Sequence, residues 1–472
     1  MKSFIKSFSI YGLIPIFGKF IGILLMPMYT RLLTPADYGA QDILVQLGVF
    51  FTFLINIEMY HGTGRLFFEK QNLSEKQKLV STGLWLTAFM SVVIMGLGLL
   101  FHGFLYQAFF EAGSYQLAFY LMLIWAPISA YFTYLSVVMR YEKKPRLYFI
   151  ITNIQLTVKI LATVLCVAFL KMGVSGVLLG HIIGELCGML MLCFTLRKYF
   201  HFNFSIPDMK LILSFSLPLL PAVLLASFQK PLIRYLVANL LDISEMGYYT
   251  VAAQLASILG FIQSGLRLSW YPHLFEMVNK DGYENEVKRI YNLFLWFTFM
   301  VSCLIILNGR MLLAILTTKA YAPALPLIGF IVMNGMLDII RQISGCGPSL
   351  VKKTIYDTYI ELAASAALLV AFLAMHKIIG IVGLAVAFLS GSLVKLIWGW
   401  QLTKKLTSLN LNMKPTAILV SLLFILSVGY SLYIIPIWIS LYASVIICLS
   451  FAIWQRKQIL YLYNTSVTAL RR

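Results

Sequence analysis

The feature that most constrains this chain is a succession of fourteen apolar runs, each close to the length that crosses a bilayer. A helix needs about 20 residues to span a hydrocarbon layer of about 30 Å. The runs cover approximately residues 9 to 33, 38 to 61, 79 to 101, 115 to 139, 147 to 170, 174 to 196, 210 to 240, 247 to 273, 290 to 309, 321 to 345, 354 to 374, 381 to 403, 415 to 432 and 434 to 454. The last two could form one re-entrant hairpin. Composition agrees: 60% of the 472 residues are apolar and 12% charged, and the mean hydropathy of +0.86 excludes a water-soluble fold. Disordered and collagen-like chains are excluded by the 34 Phe, 26 Tyr and 8 Trp set against 15 Pro, which leave no polar low-complexity tract. The expected fold class is therefore all-α, a polytopic membrane protein.

The net charge of +19 reads as a topology signal rather than a nucleic-acid footprint. With both termini placed in the cytoplasm, 26 of the 37 Lys and Arg fall on the cytoplasmic side, seven on the other, and Lys19, Lys159, Arg267 and Lys395 stay within spans. Cytoplasmic loops carry such an excess of cations. Lys19 interrupts the first run and no small-residue cleavage site follows, so that run is read as a retained span rather than a signal peptide. All six cysteines lie inside apolar stretches without a C-x-x-C spacing and read as buried small residues.

An internal repeat organises the runs. Gly173, Gly176 and Gly184 recur 207 residues later as Gly380, Gly383 and Gly391, and Ser7-Phe8-Ser9 recurs as Ser214-Phe215-Ser216. Asp37-Tyr38-Gly39 matches Glu245-Met246-Gly247 at a spacing of 208. Three places at nearly one spacing argue for a duplicated six-span unit, and an even number of spans gives both copies the same orientation. The expected domains are a six-helix lobe over 1–200, a second over 201–405, and two further helices with a short tail over 406–472. Spans 1 and 7 correspond in the two copies and are the most interrupted by Pro and Gly. Pro15, Pro27, Pro218 and Pro221 are accordingly the expected hinges of two bending helices that face a central cleft.

A charge at mid-bilayer costs about 2.5 to 3.5 kcal/mol, so charges inside the runs need a reason. Lys159 and Glu185 sit at one depth on adjacent spans, with His181 a turn away, and could simply pair. Arg341 and Glu361, nearer an edge, could snorkel. Lys19, Arg267 and Lys395 show no acidic residue within four positions and no evident partner at their depth. A wet cationic cavity formed by Lys19, Lys159, Arg234, Arg267, Arg341 and Lys395 would suit a diphosphate head group, with Arg forking onto oxygens and Lys acting as a point charge. Glu58, Glu185 and Asp338 are candidates for proton or sodium coupling. No G-x-x-x-x-G-K-[ST] occurs, the six histidines lack metal-ligand spacing, and no nucleophile constellation is present, so neither catalytic residue, metal nor cofactor is expected.

The stretch Tyr29-Thr30-Arg31-Leu32-Leu33-Thr34-Pro35-Ala36-Asp37-Tyr38-Gly39, the exit Gly64-Arg65-Leu66-Phe67-Phe68-Glu69 and the segment Gly380-Ile381-Val382-Gly383 resemble the bacterial polysaccharide-unit flippases of the multidrug/oligosaccharidyl-lipid/polysaccharide exporter superfamily. The resemblance covers about residues 1 to 405. It implies a two-lobed transporter that moves an undecaprenyl-diphosphate-linked oligosaccharide to the outer leaflet of the bacterial plasma membrane, for O-antigen, capsule or exopolysaccharide assembly. Partners would be that lipid, membrane lipids, and the polymerase and chain-length proteins of the same pathway. Spans 13 and 14 resemble those that accommodate a lipid tail in lipid-linked members. Alternatives are a peptidoglycan-precursor flippase, a drug/cation antiporter of the same superfamily, and, in another class, a polysaccharide polymerase or ligase.

Overall fold

The structure is a computed structural model and describes residues 22–23, 25–111, 113–142, 144–200, 203–217, 220–278, 282–351, 353, 355–432, 442–444 and 446–447. Among these the secondary structure is helical, and ten helices are long and apolar enough to cross a membrane. They correspond to expected spans 2 to 6 and 9 to 13. Most of spans 1 and 14 lies outside the described residues. Expected spans 7 and 8 are also helical. Contacts divide the chain into two compact units, Met1–Thr250 and Val251–Arg472.

The first unit contains α1 (Pro35–Asn56), α2 (Met59–Glu69), α3 (Leu73–Leu100), α4 (Gln116–Tyr141), α5 (Pro145–Val164), α6 (Gly173–Thr195), α7 (Ile206–Ser216), α8 (Leu220–Leu240) and the start of α9 (Ile243–Met277). The most specific motif in the sequence has a plain physical job at the head of α1. The Thr34 hydroxyl accepts from the Asp37 amide at 3.1 Å and the Asp37 carboxylate accepts from the Thr34 amide at 3.1 Å. Together with Pro35 in the first turn, this is a complete capping box. Gly39 in the same motif permits close approach: a Cβ there would stand 2.1 Å from the Ile243 carbonyl oxygen, and one on Gly247 would stand 2.0 Å from that of Pro35. The two repeat-related glycines therefore face one another where α1 and α9 begin.

The other repeat glycines are explained by two hairpins of the same design. Gly173 (φ +54°) turns the chain from α5, through a π-helical turn over Leu165–Phe169, into α6. In the second unit Gly380 (φ +56°) stands between α13 (Ile355–Ile379) and α14 (Ile381–Leu406). A residue with a side chain is strained at such φ. Along α6, Gly176, Gly180, Gly184 and Gly188 recur every fourth residue and press on Cys166, Thr163, Lys159 and Gln155 of the preceding helix and turn. Small residues at this spacing let membrane helices pack backbone to backbone.

One expected span is broken among the described residues: span 2 divides into α1 and α2 at Ile57 (φ +42°) and Glu58 (φ +56°). The break carries neither Pro nor Gly. It is held instead by neighbours: Tyr60 Oη donates to Glu58 Oε1 at 2.7 Å, Ser216 Oγ of α7 donates to the Glu58 carbonyl at 3.2 Å, and Tyr141 Oη of α4 donates to the Tyr60 carbonyl at 2.9 Å. Left-handed non-glycine residues cost about 1 to 3 kcal/mol each and persist where packing over-determines them.

The second unit contains the rest of α9, α10 (Tyr283–Leu307), α11 (Gly309–Leu316), α12 (Leu325–Ser344), α13, α14 and α15 (Lys414–Ser431). Helix α14 packs on both α13 and α12, and α15 packs on α12 and α10. A Cβ on Gly391 would stand 3.0 Å from the Ala364 carbonyl oxygen, which is how closely α13 and α14 approach. Of the described cysteines, Cys166, Cys303 and Cys346 are buried, Cys187 and Cys193 half-buried, and all are free thiols. Cys448 lies outside the described residues.

Candidate functional site

In the first unit, the capping and glycine geometry brings three of the expected charged groups into defined surroundings. Gly184 seats α6 directly on the backbone of Lys159, so Lys159, His181 and Glu185 converge as the sequence suggested. The direct Lys159–Glu185 ion pair is not what forms. Buried Glu185 accepts instead from the Trp125 indole Nε1 of α4 at 2.9 Å. Trp125 also stands edge-on to His181, with ring centroids 4.9 Å apart. The indole was not singled out in the sequence; an N–H donor on a neighbouring span is the signal that would have found it, because a buried carboxylate needs a donor.

Arg234, in the middle of α8, has a partner that sequence reading missed. Its Nε donates to Asp42 Oδ2 of α1 at 3.0 Å, and Nη1 donates to the Lys230 carbonyl at 3.4 Å. The two side chains are 10% and 14% exposed. Glu58 is buried at the α1–α2 break described above.

In the second unit the charges form a ladder across three helices. On α12, Asn334, Asp338 and Arg341 repeat at helical spacing along one face. Arg341 Nη2 lies 3.1 Å from Glu361 Oε1 of α13, and Lys395 Nζ of α14 lies 2.6 Å from Glu361 Oε2. Ser392 Oγ approaches Asp338 Oδ1 at 3.1 Å and Asn334 Oδ1 at 2.6 Å. Lys395 is thus corrected from a cation without a partner to one arm of a carboxylate bridge. The reason is hairpin register: 361 and 395 lie at similar distances on either side of the Gly380 turn. Glu361, Arg341 and Lys395 remain 37%, 28% and 21% exposed, so the ladder is open to a ligand rather than sealed in a dry core. Its charge is close to balanced, two carboxylates against two cations.

Arg267 of α9 has an exposed side chain. Lys19, Pro15 and Pro218 lie outside the described residues. Pro27 falls in a helical segment over residues 25–32, and Pro221 is the second residue of α8.

Charged cross-links also gather in the loops at one end of the first unit. Lys70 lies 3.2 Å from Asp208, and Glu142 is bridged by Lys198 at 2.9 Å and by Lys144 at 3.6 Å and also hydrogen-bonded by Tyr199 Oη. Burial alone would raise the Glu142 carboxyl; the hydrogen bonds from Lys198 and Tyr199 and the nearby ammonium charges outweigh it and hold the group below its usual value.

Apolar helices of this length, cross-linked by ion pairs between them, define a polytopic membrane protein. The family model described as polysaccharide biosynthesis protein matches residues 28–326, and the chain belongs to that family. No curated protein matches the chain by sequence. Among solved structures, the fold is similar to the lipid II flippase MurJ in an inward closed conformation, with a TM-score of 0.75 at 14% identity over 96% of this chain and 99% of that one. It is also similar to an inward-facing multidrug resistance MATE family transporter of the MOP superfamily, with a TM-score of 0.66 at 15% identity over 82% and 94%. The MATE transporter ClbM, solved with Rb+, gives 0.54 at 16% identity over 89% and 96%.

Proposed function

We propose that this protein is a flippase that carries an undecaprenyl-diphosphate-linked oligosaccharide across the bacterial plasma membrane by alternating access. The observation that carries the reading is the half-open ladder of Arg341, Glu361, Lys395 and Asp338 on three membrane helices. Ionisable groups inside spans are expensive and mark substrate or ion pathways. Membership of a polysaccharide biosynthesis family and a fold shared with a lipid II flippase support a lipid-linked sugar as cargo. In this reading Lys19, Lys159, Arg234, Arg267, Arg341 and Lys395 serve the diphosphate. Glu58, Glu185 or Asp338 carries a coupling proton or sodium, and Pro15, Pro27, Pro218 and Pro221 are the hinges. Both termini are cytoplasmic, the lobes are 1–200 and 201–405, and residues 406–472 accommodate the lipid tail. Moving about two negative charges out of a negative interior is favoured by about 4.6 kcal/mol per 100 mV, so ATP is not required.

The test is reconstitution of purified protein in vesicles that carry a fluorescent lipid-diphosphate oligosaccharide, with leaflet exposure read by a membrane-impermeant glycosidase. Protein-dependent exposure supports the reading. Export of a cationic dye against a proton gradient, with the lipid unmoved, overturns it in favour of an antiporter. A peptidoglycan precursor moved in preference to the oligosaccharide lipid assigns the cargo to cell-wall synthesis, the reading that the MurJ-like fold also favours.

A further inference from the structure

In the second unit, the chain between α10 and α12 does not simply turn. It forms α11, then a 3₁₀ segment over Lys319–Ala324, and leaves between them a cavity of about 320 Å³, within the range of ligand pockets. Arg310, Leu313, Ala314, Thr317, Lys319 and Leu325 are among its lining residues. The lining holds two cations and two hydroxyls and no carboxylate. The sequence supplies no acid nearby: Glu286 and Asp338 are consecutive acidic residues, and none follows Glu361. This stretch of about 50 residues is therefore a positive region by composition as well as by geometry.

The pocket is also placed and held. Arg310 is anchored from α15: its backbone amide donates to Tyr430 Oη at 2.7 Å and its guanidinium lies 5.3 Å from the centre of the Tyr430 ring. Tyr430 itself is buried. Thr317 Oγ1 donates to the Leu313 carbonyl at 2.7 Å, which leaves the oxygen's acceptor side and fixes the end of α11. The outward face of α11 is apolar, with Met311 and Ile315 one turn apart and 37% and 59% exposed. The pocket lies where α10 ends and α12 begins, at the ends of membrane helices, so an apolar face and a cationic recess meet at the depth of the head groups.

We propose that this recess is a binding site for a phosphate-bearing anion, separate from the charge ladder: Arg310 offers a fork to two phosphate oxygens and Lys319 a mobile point charge. Its apolar margin favours a phosphate that arrives on a lipid, while the same chemistry accepts a soluble phosphate. The inference does not depend on the transported cargo. Under the positive-inside orientation the recess faces outward.

The experiment is native mass spectrometry of the detergent-purified full chain titrated with phosphatidylglycerol, with diacylglycerol as a phosphate-free control, and separately with inorganic pyrophosphate. Lys319→Gln removes the exposed charge, and Ala314→Trp fills the cavity with both charges intact. Each is expected to weaken binding roughly tenfold or more, Lys319→Gln by losing one charge-assisted contact and Ala314→Trp by occupying the space the anion needs. Arg310→Gln is expected to do the same, and the first two variants carry the test if its loss of the Tyr430 contact prevents folding. Phosphatidylglycerol retained in preference to both diacylglycerol and pyrophosphate identifies a lipid head group. Pyrophosphate bound without the lipid identifies a soluble anion. Binding of neither, or equal binding by wild type, Lys319→Gln and Ala314→Trp, overturns the proposal.

Discussion

Removing the carboxylate from Asp42 tests whether Arg234 is held for structure or for cargo. At 3.0 Å, two unit charges in an effective dielectric of about 20 attract by about 5.5 kcal/mol. Desolvation of side chains that are only 10% and 14% exposed offsets much of this, so the pair itself adds little net stability. Breaking it is another matter, because Asp42→Asn leaves a guanidinium buried without its counter-charge. Such single removals cost about 3 to 5 kcal/mol, or a shift of about two to four powers of ten in the folding equilibrium. Arg234→Gln is expected to cost a similar amount, and the double variant Asp42→Asn/Arg234→Gln to recover most of it, with a coupling energy of at least about 2 kcal/mol. Unfolding in mixed micelles, followed by the change in Trp fluorescence, measures all four proteins. Transport by the refolded double variant then separates the roles: a stable but inactive protein places Arg234 on the cargo, and an active one makes the pair a strut. Additive single effects, with no recovery in the double variant, would refute the argument for a coupled buried pair.

Glu361→Gln removes the carboxylate shared by Arg341 and Lys395 and is expected to reduce transport at least about tenfold while costing less stability than Asp42→Asn, because its partners are wetter; initial rates in vesicles check this, and unchanged rates assign the ladder to packing. Gly184→Leu drives a side chain into the Lys159 backbone, where even a Cβ would sit 2.4 Å from Lys159 Cβ, and is expected to destabilise by about 3 kcal/mol or more. Gly96→Ala in α3, where nothing stands within 4 Å, is expected to be neutral or to stabilise by up to about 1 kcal/mol, and thermal melts compare the two. Glu142 supplies a pH dependence: its folded carboxyl lies below its unfolded value, so the stability it contributes is present above the unfolded value of about 4.3 and is lost as pH falls through the folded one. Melting of wild type between pH 7 and pH 3 should therefore fall more steeply than melting of Glu142→Gln, and parallel curves would contradict this.

Much of the architecture was readable because its determinants are local. A run of about 20 apolar residues has few alternatives to a membrane helix, and the glycines that recur at 207 residues, Gly173 and Gly380, both stand at positive φ where one helix gives way to the next. The Lys395–Glu361 contact was also within reach, since their similar distances from Gly380 give the hairpin register. Other features depend on contacts that no local pattern encodes. Nothing in Ile57-Glu58 announces a left-handed kink; Tyr60 and Ser216 hold Glu58 from 2 and 158 residues away along the chain, and Tyr141 holds Tyr60 from 81. Asp42 escaped notice for the same reason, because its partner lies 192 residues further on and α1 reads as an ordinary apolar span. The Trp125 N–H that serves Glu185 comes from 60 residues away and is equally invisible to local pattern.

Gly39 and Gly247, 208 residues apart, each lay a bare face on the other's helix start. Both approaches are shorter than any side chain tolerates, so even a methyl group at either position would push the starts of α1 and α9 apart. The demand falls on the glycines alone: their neighbours Asp37 and Tyr38 differ from Glu245 and Met246, while the bare backbone is the same in both.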